Sequence, residues 1–518
     1  MEKNSENKIS QIRVGILLTY IQILLVMVVN IITTPIMTKY LGQAEFGLYN
    51  TISSTVAMFS ILSLGFSSSY IKFFSIYKEE NDQESIKKLN GMFLLVFVTI
   101  AVISLIIGIY LTFNLHLVFS DGLKENEYII GSKLMLILAF NMATSFPIIV
   151  FQNIIVAYER FIFSKFMSIV RTVAPPLATI PFLLFGYNSV AVALVTTLVI
   201  LMSDLIIVIY SLKELRVKFD FKRLEFSKFK ELYVFTAFIA INFLVDQINW
   251  NSGQILLGRY QGTEAVAVFS IGFTLYTYFQ NLSISISNLF VPRIHQIVNR
   301  NTDNKIQQGQ ELTDIFIKVG RIQYMILSLA ALGLIFFGKD FITKYWVGEE
   351  YSLSYLVIVI LIVSGMTQRV QSISLEIQRA LDKYRFRTLV YFVIIAINIV
   401  LYIVFIKKYS VLGATVVFAS SLVVGDGIIM NFYYHLQCNI DMIRYWREMI
   451  RISTGFIIPI IFGVFINKFS LVNNIAGFVV YACVYVIVYL ISIWLFSMNE
   501  YEKGIFRQII SRILRKKA

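Results

Sequence analysis

Two ionisable side chains, Asp246 and Arg369, fall near the middle of long apolar stretches of the sequence. A charge at the centre of a bilayer is costly, so such residues are read first as part of a functional site that faces water. A carboxylate there can hold a proton or a sodium ion, and a guanidinium can replace the hydration that a buried anion loses. Asp246, flanked by Asn242 and Asn249, is therefore the candidate for ion coupling, and Arg369 is the candidate for anion binding.

A polar stripe accompanies Arg369 if residues 352–379 form one helix. Five residues follow spacings of four, three, four and three and so share one helical face, namely Gly365, Arg369, Ser372, Glu376 and Arg379. Three glutamines flank this stripe: Gln368, Gln371 and Gln378. Lipid cannot satisfy these groups, so the pattern favours a hydrated cavity. The alternative is an internal ion pair of Arg369 with Asp246, because Glu376 lies about 10 Å away along the helix axis.

The composition indicates the elements that carry these residues. The chain has 518 residues, of which 57% are hydrophobic and 15% are charged, whereas about a quarter are charged in a soluble domain. Apolar runs long enough to span a bilayer predict an all-α polytopic membrane protein with fourteen transmembrane helices. We place these helices at residues 14–38, 47–71, 91–114, 129–157, 163–186, 188–211, 232–258, 264–291, 315–337, 352–379, 387–406, 410–435, 450–467 and 473–497.

The net charge of +14 is explained by topology rather than by nucleic-acid binding. Lys and Arg are concentrated at the two termini and in the loops that follow even-numbered helices. Because basic residues remain cytoplasmic, both termini are predicted to lie in the cytoplasm. The basic, amphipathic segment 504–518 is predicted to lie on the anionic inner leaflet.

Three pairs of segments show that the sequence repeats itself. The turn "KYLGQAEFGLYN" matches "RYQGTEAVAVFS", "AYERFIF" matches "ALDKYRF", and "YNSVAVALV" matches "YSVLGATVV", at offsets of 220 to 223 residues. The repeat predicts two six-helix lobes related by a pseudo-twofold axis along the membrane normal, with a cavity where they meet. The predicted domains are an N-lobe (1–212), a cytoplasmic linker (213–231), a C-lobe (232–436), an appended helix pair (437–498) and a basic tail (499–518).

The two lobes differ in the charges that the repeat aligns. Arg369 corresponds to Phe146, Glu376 to Asn153, and Asp246 to Val26. The first lobe instead offers neutral polar residues suited to hydrogen bonding, namely Gln22, Asn30, Asn141, Ser145, Gln152 and Asn153. We therefore expect the charged chemistry to concentrate in the second lobe.

Three further charged residues lie nearer the cytoplasmic side. Asp204 and Asp426 occupy equivalent positions and are expected to pair with Lys or Arg of the loops. Lys72 has two equal readings: it contacts an anionic group at the inner mouth of the cavity, or it extends to lipid head groups.

The outer turn "KYLGQAEFGLYN", the helix exit "AYERFIF" and the arrangement of six, six and two helices resemble the polysaccharide flippases of the MOP superfamily. Lipid II flippases and MATE drug exporters are relatives of that group. The resemblance covers nearly the whole chain. It implies export of an undecaprenyl-diphosphate-linked oligosaccharide from the inner to the outer leaflet of a bacterial plasma membrane by alternating access. It also implies a polysaccharide polymerase and glycosyltransferases as pathway partners, and the additional helix pair favours this branch over MATE exporters.

Two alternatives remain beside this function. One is a MATE-like, cation-coupled exporter of small molecules, and the other is a membrane polysaccharide polymerase or ligase. Such an enzyme usually needs a large outer loop, whereas the outer loops here are short. The sequence has no nucleophile elbow, P-loop or cluster of metal ligands, so no catalytic activity and no cofactor are expected. Coupling to H⁺ or Na⁺ and passive transport both remain open.

Overall fold

The computed structural model describes residues 2–63, 66–120, 122–221, 226–300, 304–468, 474–504 and 507. These residues form α-helices joined by short turns, and no β-strand occurs among them. Ten of the described helical segments are long and apolar enough to cross a bilayer. The prediction of an all-α, multi-pass membrane protein is confirmed, and the number of fourteen spans stays a prediction.

One compact unit, unit 1, comprises residues Met1–Ile271 and Thr388–Phe418. Helix α3 packs along α5, and α6 packs against α1 and α7. Buried Tyr70, Phe93, Phe97 and Phe146 form part of an aromatic core that joins α2, α3 and α5. The helices of the first half of the chain are α1 (Glu2–Ala57), α2 (Phe66–Glu79), α3 (Gln83–Phe113), α4 (Leu115–Val118), α5 (Glu125–Ala157), α6 (Phe161–Leu184), α7 (Ser189–Lys213), α8 (Phe226–Gln261) and α9 (Thr263–Asn288).

The other compact unit, unit 2, comprises residues Gly272–Arg387 and Ala419–Ala518. Its central helix is α11, which packs against α12, α16, α17 and α18. The helices of the second half of the chain are α10 (Val291–Arg300), α11 (Lys305–Asp340), α12 (Leu353–Val370), α13 (Ser374–Ala380), α14 (Tyr384–Leu422), α15 (Met430–Leu436), α16 (Met442–Ser453), α17 (Ile457–Lys468) and α18 (Ile475–Phe496).

The units have different boundaries from the predicted lobes. Packing places residues 232–271 and 388–418 in unit 1, although the repeat assigns them to the C-lobe. The two lobes therefore stay a prediction. Helix α8 begins at Phe226, inside the predicted linker 213–231. The predicted amphipathic tail lies almost entirely outside the described residues.

The repeated turns share their backbone conformation. Gly42 and Gly262 have φ angles of 73° and 84°, and Glu159 and Asp382 have φ angles of 61° and 54°. The first pair belongs to the repeated outer turn and the second pair to the repeated helix exit. Glycine adopts this left-handed conformation without strain, which explains its presence in both outer turns. Gly42 also bends the long helix α1, where the sequence predicts two separate spans.

The predicted helix 352–379 is interrupted in the structure. Helix α12 ends at Val370, Gln371 has non-helical angles (φ −109°, ψ 16°), and α13 begins at Ser374. The stripe through Arg369 and Glu376 therefore does not lie on one continuous helical face. A second irregularity is the π-helical turn Val423–Ile429, which joins α14 to α15 and carries Asp426.

Candidate functional site

A polar cavity of about 440 Å³ lies in unit 1 between α5, α6 and α7. We call it the α5–α6 cavity. Its volume is in the range of small-molecule sites. Its charged and polar lining consists of Ser145, Gln152, Asn153, Ser164, Lys165, Ser168, Arg171 and Thr172.

An ion pair holds one side of this cavity. Arg171 Nη1 of α6 lies 2.9 Å from Asp204 Oδ1 of α7, and Arg171 Nη2 donates to Ser145 Oγ at 3.5 Å. Asp204 is only 2% exposed, so its charge depends on this arginine. Asp204 does pair with a basic residue, as expected, but the partner is an arginine within a helix and not a loop residue.

The local sequence of α6 adds polar groups beside Arg171. Pro175 and Pro176 lie inside this helix and have no backbone N–H. The carbonyls of Arg171 and Thr172 therefore lack the helical donors that the residues four positions ahead normally supply. Thr172 lines the cavity, so this wall combines a guanidinium with a hydroxyl group.

Helix α5 provides the amides predicted from the sequence. Gln152 and Asn153 both line the cavity. Asn153 is 9% exposed, and no acceptor among the described residues receives a hydrogen bond from its Nδ2 atom. Buried amides normally have partners, so this donor is available to a ligand. Gln22 Nε2 of α1 donates a hydrogen bond to Ser168 Oγ at 2.8 Å, which connects α1 to the α6 wall of the cavity.

Lys165 and Arg171 add charged groups to the first copy of the repeat, although the sequence predicts that the charged chemistry concentrates in the second lobe. The cavity lining contains two cations, and the buried acid Asp204, which is not part of the lining, pairs with one of them. Arg171 lies well inside the predicted span 163–186, so the rule that flagged Arg369 also applies to it. The position of Arg171 inside an apolar span could therefore have identified it from the sequence.

Arg369 lies in a separate polar cluster within unit 2. It is 6% exposed, its guanidinium donates to Gln368 Oε1, and Tyr276 lies beside it. Gln368 Nε2 in turn donates to Asp426 Oδ2 at 2.5 Å. Within the described part of the chain Arg369 forms no ion pair with an acid. The alternative pairing with Asp246, which belongs to unit 1, stays a prediction.

Asp426 repeats the arrangement of Asp204. Its Oδ1 atom lies 3.2 Å from Arg387 Nη2 of α14, as Asp204 pairs with Arg171 of the preceding helix. Both aspartates are almost fully buried. The two copies therefore share a buried Arg–Asp pair between consecutive helices, although the two arginines are not aligned in the sequence repeat.

Ser372 belongs to a network of buried side chains. Gln323 Nε2 donates to Ser372 Oγ and to Ser287 Oγ, at 2.8 Å each. Ser283 Oγ donates to Ser372 Oγ at 2.9 Å and to the Arg369 carbonyl at 2.5 Å. These hydrogen bonds involve the Arg369 carbonyl and the Ser372 hydroxyl, at the point where α12 is interrupted. Ser372 therefore has a structural role.

The other predicted residues of this stripe also have internal partners. Gln371 Nε2 donates to Asn431 Oδ1 at 3.0 Å, and Glu376 pairs with Arg379 at 2.6 Å. The structure therefore brings Gln368, Arg369, Gln371 and Ser372 into one bonded region around the break. Glu376 lies in α13, beyond that break.

The remaining candidates lie on α8 and α2. Asp246 of α8 is exposed, and Asn242 Oδ1 accepts a hydrogen bond from Thr388 at 2.9 Å. Asn249 is half-buried on the same helix. Lys72 is exposed on α2, with its Nζ atom 5.8 Å from the centroid of the Phe73 ring.

With this geometry in view, the sequence matches the model of the family described as "Polysaccharide biosynthesis protein" over residues 12–298. The match covers more than half of the 518-residue chain, and the chain belongs to this family. A comparison with curated protein sequences gives no match.

Solved structures define the class of fold. A lipid II flippase, MurJ, in an inward closed conformation has 16% identity and a TM-score of 0.71, with 92% of this chain and 97% of that chain covered. A MATE transporter of Vibrio cholerae has 13% identity and a TM-score of 0.57, with coverages of 85% and 99%. An inward-facing multidrug resistance MATE transporter of the MOP superfamily has 15% identity and a TM-score of 0.52, with coverages of 77% and 92%. The chain has the fold of these proteins.

Proposed function

We propose that this protein is a flippase that moves a polyprenyl-diphosphate-linked oligosaccharide from the inner to the outer leaflet of a bacterial plasma membrane. The polysaccharide family and the fold shared with a lipid II flippase support this class of substrate. The proposal includes fourteen spans with both termini in the cytoplasm. The bends at Gly42 and Ser410, which divide two long helices, support that count.

The observation that carries the proposal is the lining of the α5–α6 cavity. Lys165 and Arg171 exceed the single buried acid Asp204 in charge, which suits an anionic diphosphate. Asn153 offers an unpartnered donor, and neighbouring serines suit sugar hydroxyls. A bare diphosphate cannot enter hydrocarbon, so these groups replace its hydration while the prenyl chain remains in lipid.

Transport proceeds by alternating access in this proposal. Lys165 lies in the first turns of α6, next to a predicted cytoplasmic loop, so the head group would be loaded from the inner side. Arg369 and Lys72 are further candidates for the diphosphate. Asp246 remains the candidate for H⁺ or Na⁺ coupling, and passive transport is the alternative.

The test is depletion of the protein in a bacterium that makes a lipid-linked polysaccharide, with complementation by variants. Depletion is expected to accumulate the lipid-linked repeat unit in the inner leaflet, measured by its inaccessibility to externally added periodate. Lys165→Gln is expected to restore export poorly at normal protein levels. Lys305→Gln removes the same charge from an exposed position of α11 and is expected to restore it fully. Normal export in depleted cells would refute the proposal.

The fold likeness to MATE transporters favours drug export as the second candidate. Ethidium efflux from the same depleted and complemented cells separates the two functions. Loss of efflux with normal lipid-linked glycan would assign the protein to the second candidate.

A further inference from the structure

A second cavity, of about 750 Å³, lies in unit 2 between residues 427–435 and α16. We call it the α15–α16 groove. Its apolar walls are formed by Ile428 and Phe432 on one side and by Ile443 and Ile450 on the other. The rest of the lining consists of two basic side chains, His435 and Arg447, together with Gly427, Asn431, Met442 and Trp446. The transport mechanism uses none of these residues.

The groove faces away from the core of unit 2. Ile443 and Ile450 are 65% and 69% exposed, whereas Tyr445 and Met449 on the opposite face of α16 are buried. Both walls belong to candidate membrane spans, Tyr384–Leu436 and Met442–Lys468. Ile428 and Phe432 lie in the predicted span 410–435 and Ile450 begins the predicted span 450–467, whereas Ile443 and Arg447 precede it, so we expect the groove to lie where the hydrocarbon meets the lipid head groups.

The basic residues identify which lipid fits. His435 lies at the end of α15, next to the connection to α16, and Arg447 lies on the groove side of α16. No acidic residue belongs to the groove lining. An arginine near the anionic inner leaflet attracts negatively charged phospholipids, and its long side chain can extend toward a head group.

We propose that this groove binds one glycerophospholipid with an anionic head group. Its phosphate lies beside Arg447 and His435, and an acyl chain lies along Ile428, Phe432 and Ile450. This site is separate from the α5–α6 cavity, and the proposal does not depend on the transported substrate.

Hydrogen bonds connect the groove wall to the interrupted helix. Asn431, which lines the groove, accepts from Trp446 Nε1 at 2.8 Å and from Gln371 Nε2 at 3.0 Å. Its Nδ2 atom donates to the carbonyls of Asp426 and Gly427, at 2.7 and 3.1 Å. A lipid that holds α15 against α16 therefore also stabilises the π-helical turn and the break after α12.

The test uses fluorescence of Trp446, which lines the groove. Trp250, Trp346 and Trp494 are replaced by Phe, and the protein is reconstituted in phosphatidylcholine vesicles with increasing phosphatidylglycerol carrying brominated chains. Brominated phosphatidylglycerol is expected to quench Trp446 at lower mole fraction than brominated phosphatidylcholine. Unbrominated phosphatidylglycerol is expected to relieve the quenching.

Arg447→Gln is expected to weaken the preference for phosphatidylglycerol about fivefold, the effect of one basic residue near an anionic surface. The matched control is Arg444→Gln. Arg444 lies on the same helix outside the groove and pairs with Asp314 at 2.9 Å, so this variant is expected to retain the preference. As a second measurement on the native sequence, phosphatidylglycerol is expected to raise the unfolding temperature, and R447Q but not R444Q is expected to reduce that increase.

Three results would overturn the proposal. Equal quenching by the two brominated lipids would show ordinary lipid contact without head-group recognition. Equal weakening in R447Q and R444Q would show general attraction to surface charge. Displacement of brominated phosphatidylglycerol by undecaprenyl phosphate, but not by unbrominated phosphatidylglycerol, would assign the groove to a prenyl chain.

Discussion

Glu127 Oε1 accepts a hydrogen bond from Thr263 Oγ1 at 2.8 Å, although the two residues belong to different copies of the sequence repeat. Nearby, Lys124 Nζ lies 3.2 Å from Glu264 Oε1, and Arg259 Nη1 donates to the Leu117 carbonyl at 2.7 Å. All of these residues lie in unit 1, in segments predicted to be on the outer side. The ends of the two copies that are predicted to face outward are thus joined by polar contacts in this conformation.

Gly47→Ala is expected to disrupt this outer junction. A Cβ atom at Gly47 would overlap the Thr263 carbonyl, so the backbones must separate, at a cost of about 1–3 kcal/mol. The measurement is thermal unfolding in detergent. The control is Gly333→Ala, where a Cβ meets nothing within 4 Å and helix stability should rise by about 0.5–1 kcal/mol. Equal behaviour of the two variants would contradict the close contact.

Arg171→Gln is expected to destabilise the protein by about 3–5 kcal/mol, because it leaves the buried Asp204 charge without its partner. Adding Asp204→Asn removes that charge and should restore much of the stability. Thermal unfolding of both single variants and the double variant measures the coupling. Transport should remain low in the double variant, because the cavity still lacks its guanidinium. Recovery of transport together with stability would show that Arg171 has only a structural role.

Arg321→Met is expected to loosen the C-terminal helices of unit 2. Arg321 Nε and Nη1 each lie 2.7 Å from a carboxylate, Glu502 and Glu448 respectively, and Nη2 donates to the Ser497 carbonyl at 2.8 Å. Removing the arginine leaves the buried Glu502 unpaired, at a cost of about 3–5 kcal/mol. The control is Arg300→Met, which breaks an exposed pair with Glu311 worth at most about 1 kcal/mol. The unfolding temperature should distinguish the two, and similar shifts would count against the buried anchor.

Cys438 is expected to react slowly with iodoacetamide in the folded protein. Burial raises the pKa of its thiol from 9.0 to about 11, so near pH 8 its thiolate fraction is about 100-fold lower than for an unperturbed cysteine. In a Cys483→Ser background, the rate should rise about tenfold per pH unit until the pH nears 11. The raised pKa also makes the stability of the protein depend on pH. The contribution of the Cys438 thiol to the free energy of unfolding is fully present below pH 9.0. It is lost between pH 9.0 and about 11, because there the thiol ionises in the unfolded chain but not in the folded one. A rate that levels off near pH 9 would contradict the raised pKa.

Local patterns in the sequence predicted much of the fold. Apolar runs predicted the helices, and the left-handed angles of Gly42, Gly262, Glu159 and Asp382 lie in segments that the repeat had aligned. Helices and tight turns depend on residues that are close together in the sequence. They can therefore be predicted from one stretch of the chain.

The break in the helix after Val370 could not be predicted from the same patterns. It is stabilised by Ser283 and Gln323, which precede Ser372 by 89 and 49 residues, and by Asn431, 60 residues after Gln371. The cavity beside Arg171 was missed for a related reason. Its acid and its amides come from α7 and α5, and their convergence depends on how these helices pack.

The π-helical turn Val423–Ile429 has a consequence for how this part of the chain can vary in length. A π-helical turn holds about one residue more than an α-helical turn of 3.6 residues, so deleting one residue from it would return the segment toward an α-helix and leave the residues after it on nearly the same face. Asn431 would then still face Gln371 and Trp446, whereas Asp426, which lies inside the turn, would shift relative to Arg387. Homologous sequences that are one residue shorter here should therefore keep the contacts of Asn431 and lose the ion pair of Asp426.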